Sequence, residues 1–515
     1  MKNYFLIQTI KKGIAIATWA LIAMIFTHTL KAQPSLTSNN LGLNGGGIAY
    51  FSGSEAAFSN PANLMLPNRP GTLHLDIGQA ALQINPILSS NTVSGQFTNF
   101  RNRYRPYIQK YVGINSSQRT TILDKHFGGQ RLQANTPSRA EIMLGGIHWY
   151  RKDYAISIAL RARLASRIIT GRGWYDDSFI GQNNRTVRDF TLSQQQSELY
   201  ELSFGYAQDF TFVNGLMPGL SKLYIGFAPK LIVAGPKLDA RYHARYYDDG
   251  INAQANPFTS DFSLQSTGRF SDAIHAYMQS ENPQEAIQNN FGSYHFEQSG
   301  YGLGFDFGLN YVIPLSDEGL SQRTEGIPKK SLRIALSLAD IGVLRQTEQP
   351  LTIDTPGDTT IAQQQSPLNE MFIGSGGQYI NHLHQAESLP NPLLSAEESS
   401  EEAYSTMLPT SVNAGILVDL STVKFIGDLT LGLDNSAYTS KNLSVYLGME
   451  ARPFERIPLR MGTKLASNMP LQVGFSTGLE TKYWDFTFGS QALIYPQSQQ
   501  AALAGGAIGG LQFHF

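Results

Sequence analysis

The sequence predicts an all-β fold, a transmembrane, antiparallel up-and-down β-barrel of about 14 strands with an N-terminal plug segment and long extracellular loops. Three observations support this prediction. Apolar residues alternate with small or polar ones, short connections alternate with long ones, and the chain starts like a secreted protein. A strand places successive side chains on opposite faces, so such alternation suits a wall between lipid and a lumen.

The first 32 residues are predicted to be a secretory signal peptide. Three lysines form a basic start, residues 13–30 are almost wholly apolar, and Ala32 is a small residue suited to cleavage. The alternative is an uncleaved membrane anchor, because the apolar run approaches the length of a membrane span. Residues 33–40 turn abruptly polar, which favours cleavage.

Residues 33–70 are predicted to form a plug, or hatch, inside a barrel built from residues 71–515. The stretch Asn44–Leu66 reads NGGGIAYFSGSEAAFSNPANLML, which is too apolar to hang free in solvent but does not alternate like a strand. Asn60 can cap a short helix that begins at Pro61, where the missing N–H does no harm. Three successive glycines allow the backbone to pack closely. The candidate plug residues are Gly45, Gly46, Gly47, Asn60, Pro61 and Ala62.

This stretch resembles the N-terminus of the FadL-type outer-membrane proteins, the long-chain fatty-acid transporter superfamily. In that family a glycine-rich stretch is followed by small-acidic-small-small-Phe-x-Asn-Pro-Ala. The residues that fit this pattern are Glu55, Ala56, Ala57, Phe58, Asn60, Pro61 and Ala62. The resemblance implies a 14-stranded barrel that holds the segment in its lumen. The same barrel type occurs in PorV-like shuttle and anchor proteins of the type IX secretion system, so transport and scaffolding both remain open.

Alternating segments recur along the rest of the chain at lengths that suit tilted strands crossing a bilayer. They lie at roughly 72–82, 140–150, 154–168, 199–210, 222–234, 294–312, 331–344, 410–420, 424–433, 442–451, 458–466, 471–480, 482–493 and 503–515. In the segment YGLGFDFGLNY, the large apolar residues include Leu303, Phe305, Phe307 and Leu309, and they are predicted to meet lipid.

The polar residues between them are predicted to face the lumen. The lumen-facing candidates are Arg161, Arg163, Glu201, Asp306, Asn310, Glu450 and Glu480. Arg161 and Arg163 are the candidate partners of Asp306. An arginine on the lipid face costs about 2–4 kcal/mol at the midplane and little in a lumen, so Phe305→Arg is predicted to impair assembly more than Asp306→Arg.

The connections between these segments alternate in length, although their lengths played no part in choosing the strands. Four connections are long and polar, and they occupy residues 83–139, 171–198, 235–293 and 345–409. The short ones occupy residues 151–153, 211–221, 421–423, 452–457 and a turn around 481. Short periplasmic turns and long outer loops are typical of bacterial outer-membrane barrels. An even strand count then places both termini in the periplasm.

The chain ends in GLQFHF, with Phe515 as its last residue. Leu511, Phe513 and Phe515 alternate with polar residues. This ending resembles the signal by which the barrel assembly machinery recognises the last strand of its substrates. Phe513 and Phe515 are therefore the candidate assembly signal, and the alternative is an ordinary strand that stops on phenylalanine.

Composition excludes several classes of function. Without the four lysines of the signal peptide, 35 basic residues face 40 acidic ones, so no basic surface for nucleic acid is implied. The chain has no cysteine, which excludes disulfides and a lipoprotein anchor. Gly474–Gly478 matches G-x-S-x-G but lies within a predicted strand, whereas the nucleophile elbow needs a strand–turn–helix. No enzyme, cofactor or metal site is expected.

The sequence therefore predicts a barrel in the outer membrane of a Gram-negative cell, surrounded by lipid. The preferred function is a channel that passes small hydrophobic molecules inward and is gated by the plug. The alternative is a scaffold that does not transport and binds secretion-system or surface-attachment proteins through its long outer loops. The sequence does not identify the substrate.

Overall fold

The computed structural model describes residues 35–66, 72–85, 116–128, 131–176, 180–182, 185–210, 221–248, 256–279, 296–315, 330–362, 399–466, 469–495 and 500–515. In these residues, 21 strands form one sheet, and it closes into an antiparallel barrel with 14 strand positions. The first and last strands close the ring, with Leu75 opposite Phe513. The predicted fold class is thus confirmed. The predicted signal peptide lies outside the described residues.

The barrel strands are β1 (Leu73–Ile84), β2 (Gln133–Tyr150), β3 (Tyr154–Gly171), β6 (Leu192–Asp209), β7 (Lys222–Asp248), β9 (Gly300–Pro314), β10 (Ser331–Gln346), β13 (Tyr404–Met407) with β14 (Ser411–Asp419), β15 (Val423–Gly432), β16 (Ser444–Phe454), β17 (Ile457–Ala466), β18 (Leu471–Glu480), β19 (Trp484–Tyr495), and β20 (Gln500–Ile508) with β21 (Leu511–His514). The last predicted strand is divided in two at Gly509 and Gly510. A side chain on Gly510 would overlap the carbonyl oxygen of Ile77, so only glycine fits there.

Alternation along the strands produces an apolar outer surface and a polar inner one. In β9, Leu303 is 67% exposed and Phe305 is 36% exposed. Asp306, which lies between Phe305 and Phe307, is fully buried. A closed barrel leaves no unpaired strand edge and tolerates lipid around an apolar belt, which is the architecture of outer-membrane barrels. The helices within the described ranges are all too short or too polar to traverse a bilayer.

Phe305→Arg is expected to reduce the folded yield of the barrel, because it places a charge on the lipid face at a cost of about 2–4 kcal/mol. The folded fraction can be read from the mobility difference between unheated and boiled samples on a gel. Phe305→Leu is the control, because it keeps an apolar side chain on the same face. An unchanged folded yield in Phe305→Arg would mean that this face of β9 does not meet lipid.

One end of the barrel, the short-turn end, carries the short connections, and the opposite end, the long-loop end, carries the long ones. The sequence predicts polar loops at the long-loop end, but in the described residues these stretches also hold helices and further strands. The additional elements are η4 (Arg172–Trp174), β4 (Ile180–Gln182), β5 (Arg185–Asp189), β8 (Asn256–Ser266), β11 (Leu351–Ala362), β12 (Ser399–Ser400), α1 (Ser116–His126) and α2 (Arg269–Gln279). Together with the outer part of β7, they form a folded unit that we call the dome.

The dome has its own apolar core, which includes Trp174, Phe190, Tyr242, Phe262 and Phe270. The strand β7 continues out of the barrel wall into this unit, where it pairs with β5 and β8. The dome residues do not alternate over a bilayer-spanning length. Sequence periodicity therefore assigned them to loops, although they carry enough large apolar side chains for a packed core.

Candidate functional site

The N-terminal segment, residues 35–66, lies inside the barrel and contacts strands around its circumference. It contains three short 3₁₀-helices, η1 (Leu41–Leu43), η2 (Ser54–Phe58) and η3 (Pro61–Met65). The helix η1 packs against β16 to β19, and η3 packs against β6, β7 and β9 on the far side. Most of the segment is buried. Its polar backbone groups are satisfied by side chains of the barrel wall as well as by its own turns.

The glycines of the segment bring its backbone onto a carboxylate of the wall. The amide of Gly47 donates to Asp428 of β15 at 2.6 Å, and the amide of Ile48 donates to the other carboxylate oxygen at 3.3 Å. Gly47 has φ of 104°, and Gly45 has φ of 97°, a region that favours glycine. A Cβ on Gly46 would stand 2.8 Å from the Asp428 carboxylate.

The helix η3 rests on inward-facing glycines of three neighbouring strands. Asn60 caps this helix by accepting a hydrogen bond from the amide of Ala62 at 3.2 Å. The Asn60 amide nitrogen also donates to the Leu309 carbonyl of β9 at 3.2 Å. A side chain on Gly226 would overlap Pro61, and one on Gly308 would overlap Asn60. The absence of side chains at these strand positions therefore creates the space that η3 occupies.

A network of buried charges, which we call the first charge cluster, links inward-facing residues of six neighbouring strands. Arg161 bonds Glu201 at 2.7 Å and Glu141 at 3.3 Å. Arg163 pairs with Asp340 at 2.7 Å and also with Glu201. The members of the cluster are Glu141, Arg161, Arg163, Glu201, Lys230, Asp306 and Asp340.

Lys230 completes this cluster on β7. Its ammonium lies 2.8 Å from Asp306 and also contacts Asp340, and the Lys230 side chain is fully buried. The backbone amide of Asp340 donates to Asp306 at 2.5 Å. Buried ions are stable only when each charge is paired and hydrogen-bonded, so the members of this cluster depend on one another.

A second charge cluster lies on the opposite wall, formed by residues Lys424, Glu450, Arg452, Arg460 and Glu480. The Glu450 carboxylate forms salt bridges with Lys424 at 2.8 Å and with Arg460 at 2.7 Å. The hydroxyl of Tyr50, in the N-terminal segment, donates to the same carboxylate at 2.7 Å. The segment is thus anchored to this cluster through Tyr50.

The first charge cluster contacts the other side of the segment. The Arg161 guanidinium stacks over the Phe58 ring at 4.1 Å, which is a cation–π contact. Arg161 also donates to the hydroxyl of Ser35 at 2.6 Å. Both walls of the lumen therefore bind the segment, and each does so through noncovalent contacts.

Every lumen-facing candidate from the sequence is buried in the structure, namely Arg161, Arg163, Glu201, Asp306, Asn310, Glu450 and Glu480. The predicted partner of Asp306 is wrong, because Lys230 pairs with Asp306 while Arg161 and Arg163 pair with other carboxylates. The tolerance predicted for Asp306→Arg is revised for the same reason. An arginine there would face Lys230 in a filled lumen, so it is expected to be as damaging as Phe305→Arg.

Sequence reasoning missed Lys230, Asp340 and Tyr438. Lys230 lies in a predicted strand on the same face as Gly226, so the alternation contained the signal. Asp340 lies at a bulge of β10, where the register shifts between Leu338 and Ile341 and its φ is 58°. Two consecutive residues face inward at such a bulge, which strict alternation cannot reveal. Tyr438 belongs to a turn, where no periodicity applies.

A cavity of about 260 Å³ lies at the long-loop end, between the barrel mouth and the dome. Of its 18 lining residues, seven are apolar, namely Leu199, Leu238, Leu344, Met407, Pro409, Ala437 and Tyr438. The other 11 are polar, and four of these carry a charge, namely Lys237, Asp239, Arg241 and Asp434. Burial raises the pKa of Asp434, while a hydrogen bond from Thr439 opposes that shift. Arg241 neutralises Asp239 at 2.7 Å. The cavity can therefore hold a small molecule that presents both an apolar body and polar groups.

The remaining sequence features occupy structural positions. Ser476, the serine of G-x-S-x-G, is fully buried in the middle of β18, close to Gly42 of the N-terminal segment. Within the described ranges, no group of three or more histidine or carboxylate side chains is arranged to hold a metal ion. At the C-terminus, the amide of Phe515 donates to Leu73 at 2.9 Å, and the Phe515 side chain is 67% exposed.

Solved structures similar to this chain include two toluene transporters and a FadL homologue. The toluene transporter TbuX of Ralstonia pickettii has a TM-score of 0.40 and 11% identity, covering 93% of this chain and 97% of that chain. The toluene transporter TodX of P. putida has a TM-score of 0.39 and 10% identity, covering 94% of this chain and 99% of that chain. A Pseudomonas aeruginosa FadL homologue has a TM-score of 0.39 and 10% identity, covering 94% of this chain and 98% of that chain.

None of the curated proteins matches the sequence. The family described as "Family of unknown function (DUF5723)" matches residues 78–490, a range that begins within β1 and ends within β19. This match spans most of the chain, and the protein therefore belongs to DUF5723, a family of unknown function.

Proposed function

We propose that this protein is an outer-membrane channel that passes small hydrophobic molecules inward, with residues 33–70 as its plug. The observation that carries the proposal is the way the plug is held. The plug fills the lumen, but it is not paired with the strands. Hydrogen bonds, charge contacts and close packing on inward-facing glycines of the wall hold it there. Contacts of this kind can be broken without disrupting the strand ladder, which a plug that gates a channel requires.

The cavity at the long-loop end supports the proposed substrate class. The apolar part of its lining, which includes Leu199, Leu238 and Leu344, offers a place where a small hydrophobic molecule leaves water before it meets the plug. Ligand binding would then have to weaken the contacts of Tyr50 or Phe58 for the plug to move. The polar groups beside the apolar wall would orient the ligand rather than supply most of its affinity.

The proposed orientation places both termini in the periplasm and the dome outside the cell. The two ends of the barrel chain meet at the short-turn end, where the amide of Thr72 donates to Phe515 at 2.8 Å. We propose that Phe513 and Phe515 are read there by the barrel assembly machinery. We also infer that the protein is not an enzyme, since Ser476 lies in mid-strand, away from any strand–turn–helix.

Deletion of residues 40–66 is expected to leave a folded barrel that leaks more small solute than the full-length protein. The strands carry the architecture, and the plug only fills the lumen. Leakage is measured in liposomes that contain either protein at equal density, and folding is checked by heat-dependent gel mobility. A folded deletion variant that leaks no more than the full-length protein would remove the gating role of Asn60 and its neighbours. Mass spectrometry of co-purifying small molecules tests the substrate class.

The folded dome favours a second function, a scaffold that binds secretion-system or surface-attachment proteins. An apolar core of this size above a barrel stabilises a surface that a partner could recognise. The two functions are separated by charge substitutions on the exposed surface of the dome, at positions that do not line the cavity. A transporter changed in this way keeps its ligand, whereas a scaffold loses its partner and its cellular function.

A further inference from the structure

The turn that joins β15 to β16, residues 433–443, folds into the mouth of the barrel. The amide of Ser436 donates to the Thr439 carbonyl at 3.0 Å, which closes a tight turn with Ala437 and Tyr438 at its tip. Tyr438 is only 7% exposed. Residues of the turn also line the cavity at the long-loop end. The tip of this turn is therefore buried within the barrel mouth.

The tip of the turn is fastened to the opposite wall. The Tyr438 hydroxyl lies 2.9 Å from the carbonyl oxygen of Arg163 in β3 and 2.8 Å from that of Ser197 in β6. The Arg163 guanidinium stacks against the Tyr438 ring at 5.0 Å. Arg167 of β3 donates to two carbonyl oxygens of the turn at 3.4 Å each. In the barrel order, β3 and β6 lie nearly opposite β15 and β16, so the turn bridges the lumen.

The turn separates two spaces of very different size. The outer space is the 260 Å³ cavity, for which Tyr438 forms part of the floor. The inner space has only about 10 Å³ and is lined by Phe58 and Ser59 of the plug, by Ser411, and by Tyr438 and Thr439. That volume holds about one water molecule. Tyr438 lines both spaces and lies between the outer cavity and the plug residues Phe58 and Ser59.

Arg163 connects this closure to the plug. It contacts the Tyr438 ring and also pairs with Glu201, which in turn binds Arg161. Arg161 stacks on Phe58 and donates to Ser35, both of which belong to the N-terminal segment. A displacement of Tyr438 therefore alters the surroundings of the charges that hold the plug.

We propose that the turn of residues 433–443 is a second gate, in series with the plug, and that Tyr438 is its latch. The proposal rests on the channel function, because a gate has meaning only where something passes. It assigns the outer closure to Tyr438 and the inner closure to the plug. Ligand bound in the cavity would open the outer gate by competing for the Tyr438 contacts.

The absence of cysteine allows a direct test. Ser411→Cys places one thiol in the inner space, and a membrane-impermeant thiol reagent is added to intact cells. The thiol is expected to be nearly unreactive while Tyr438 is present, and Tyr438→Ala is expected to raise its labelling rate by about tenfold or more, since labelling follows local opening. Tyr438→Phe keeps the ring and loses the hydroxyl, so its rate should lie between the two.

Tyr242→Ala is the matched control, because it removes a buried tyrosine from the dome core and leaves the turn intact. Rapid labelling of Ser411→Cys with Tyr438 in place would overturn the proposal, as would slow labelling in a folded Tyr438→Ala variant. Labelling that rises in Tyr438→Ala supports the gate. Solute leakage measured on the plug deletion with Tyr438→Ala tests the channel itself, so a failure of transport is distinguished from a failure of the gate.

Discussion

Lys230→Met is expected to lower the free energy of unfolding by about 3–5 kcal/mol, the cost of leaving a buried charge without its partner. Methionine matches the length of the lysine stem but leaves Asp306 without its cation in a fully buried site. Asp340 keeps Arg163, so the loss falls mainly on Asp306. Urea titration of the protein in lipid vesicles, followed by tryptophan fluorescence, measures the change.

Lys222→Met is the matched control, because it makes the same substitution near the start of the same strand. Lys222 pairs with Asp209 at 3.1 Å, but its side chain is 32% exposed. A solvated pair of this kind contributes about 0–1 kcal/mol. Equal small losses in the two variants would show that water reaches Lys230 and screens its partners, which would contradict a filled lumen.

Gly226→Leu is expected to displace the N-terminal segment from the lumen while leaving the strand ladder in place. A side chain on Gly226 would overlap Pro61, and overpacking costs about 1–3 kcal/mol when the neighbours cannot shift. The segment is the neighbour that can move, because it is not paired with the strands of the wall and is held by side-chain contacts. Ala49→Cys, a fully buried position in the segment, reports the displacement as a rise of about tenfold in thiol labelling.

The control is Gly427→Leu on β15. There the nearest atoms belong to Ile416 and Leu447, two exposed apolar side chains on the lipid face, so a leucine fits among them. This variant should fold and should leave Ala49→Cys unreactive. If Gly226→Leu gave a folded barrel with the thiol still protected, the position of η3 would not depend on the absence of a side chain at Gly226.

Alternation alone was enough to place the strands and their faces, because period-two patterning is a local property of the chain. Asp306 and Glu450 could be assigned to the inside for this reason. Their partners could not be assigned, because the pairing of Asp306 with Lys230 depends on the register of β7 against β9. Register is set by connections and packing across the whole ring, and no single segment encodes it.

The capping pattern of the N-terminal segment is equally local, and Asn60 and Pro61 do start a helix. Asp340 and Tyr438 were beyond prediction for different reasons. A bulge in β10 turns Asp340 inward, whereas strict alternation along the strand would place it on the outer face. The path of the turn that carries Tyr438 follows from contacts with strands that lie 241 and 275 residues earlier in the chain. The dome was missed because short strands with few alternations resemble polar loops.

The continuity of β7 ties the dome to the assembly of the barrel. This strand is 27 residues long, whereas a bilayer needs about 9–11 residues of tilted strand. Its inner part pairs with β6 and β9, and its outer part supplies the pairing surface for β5 and β8. The dome therefore cannot complete its core before β7 is in place. In a chain that stalls before β7 is placed, Trp174, Phe262 and Phe270 would lack the strand that completes their shared core.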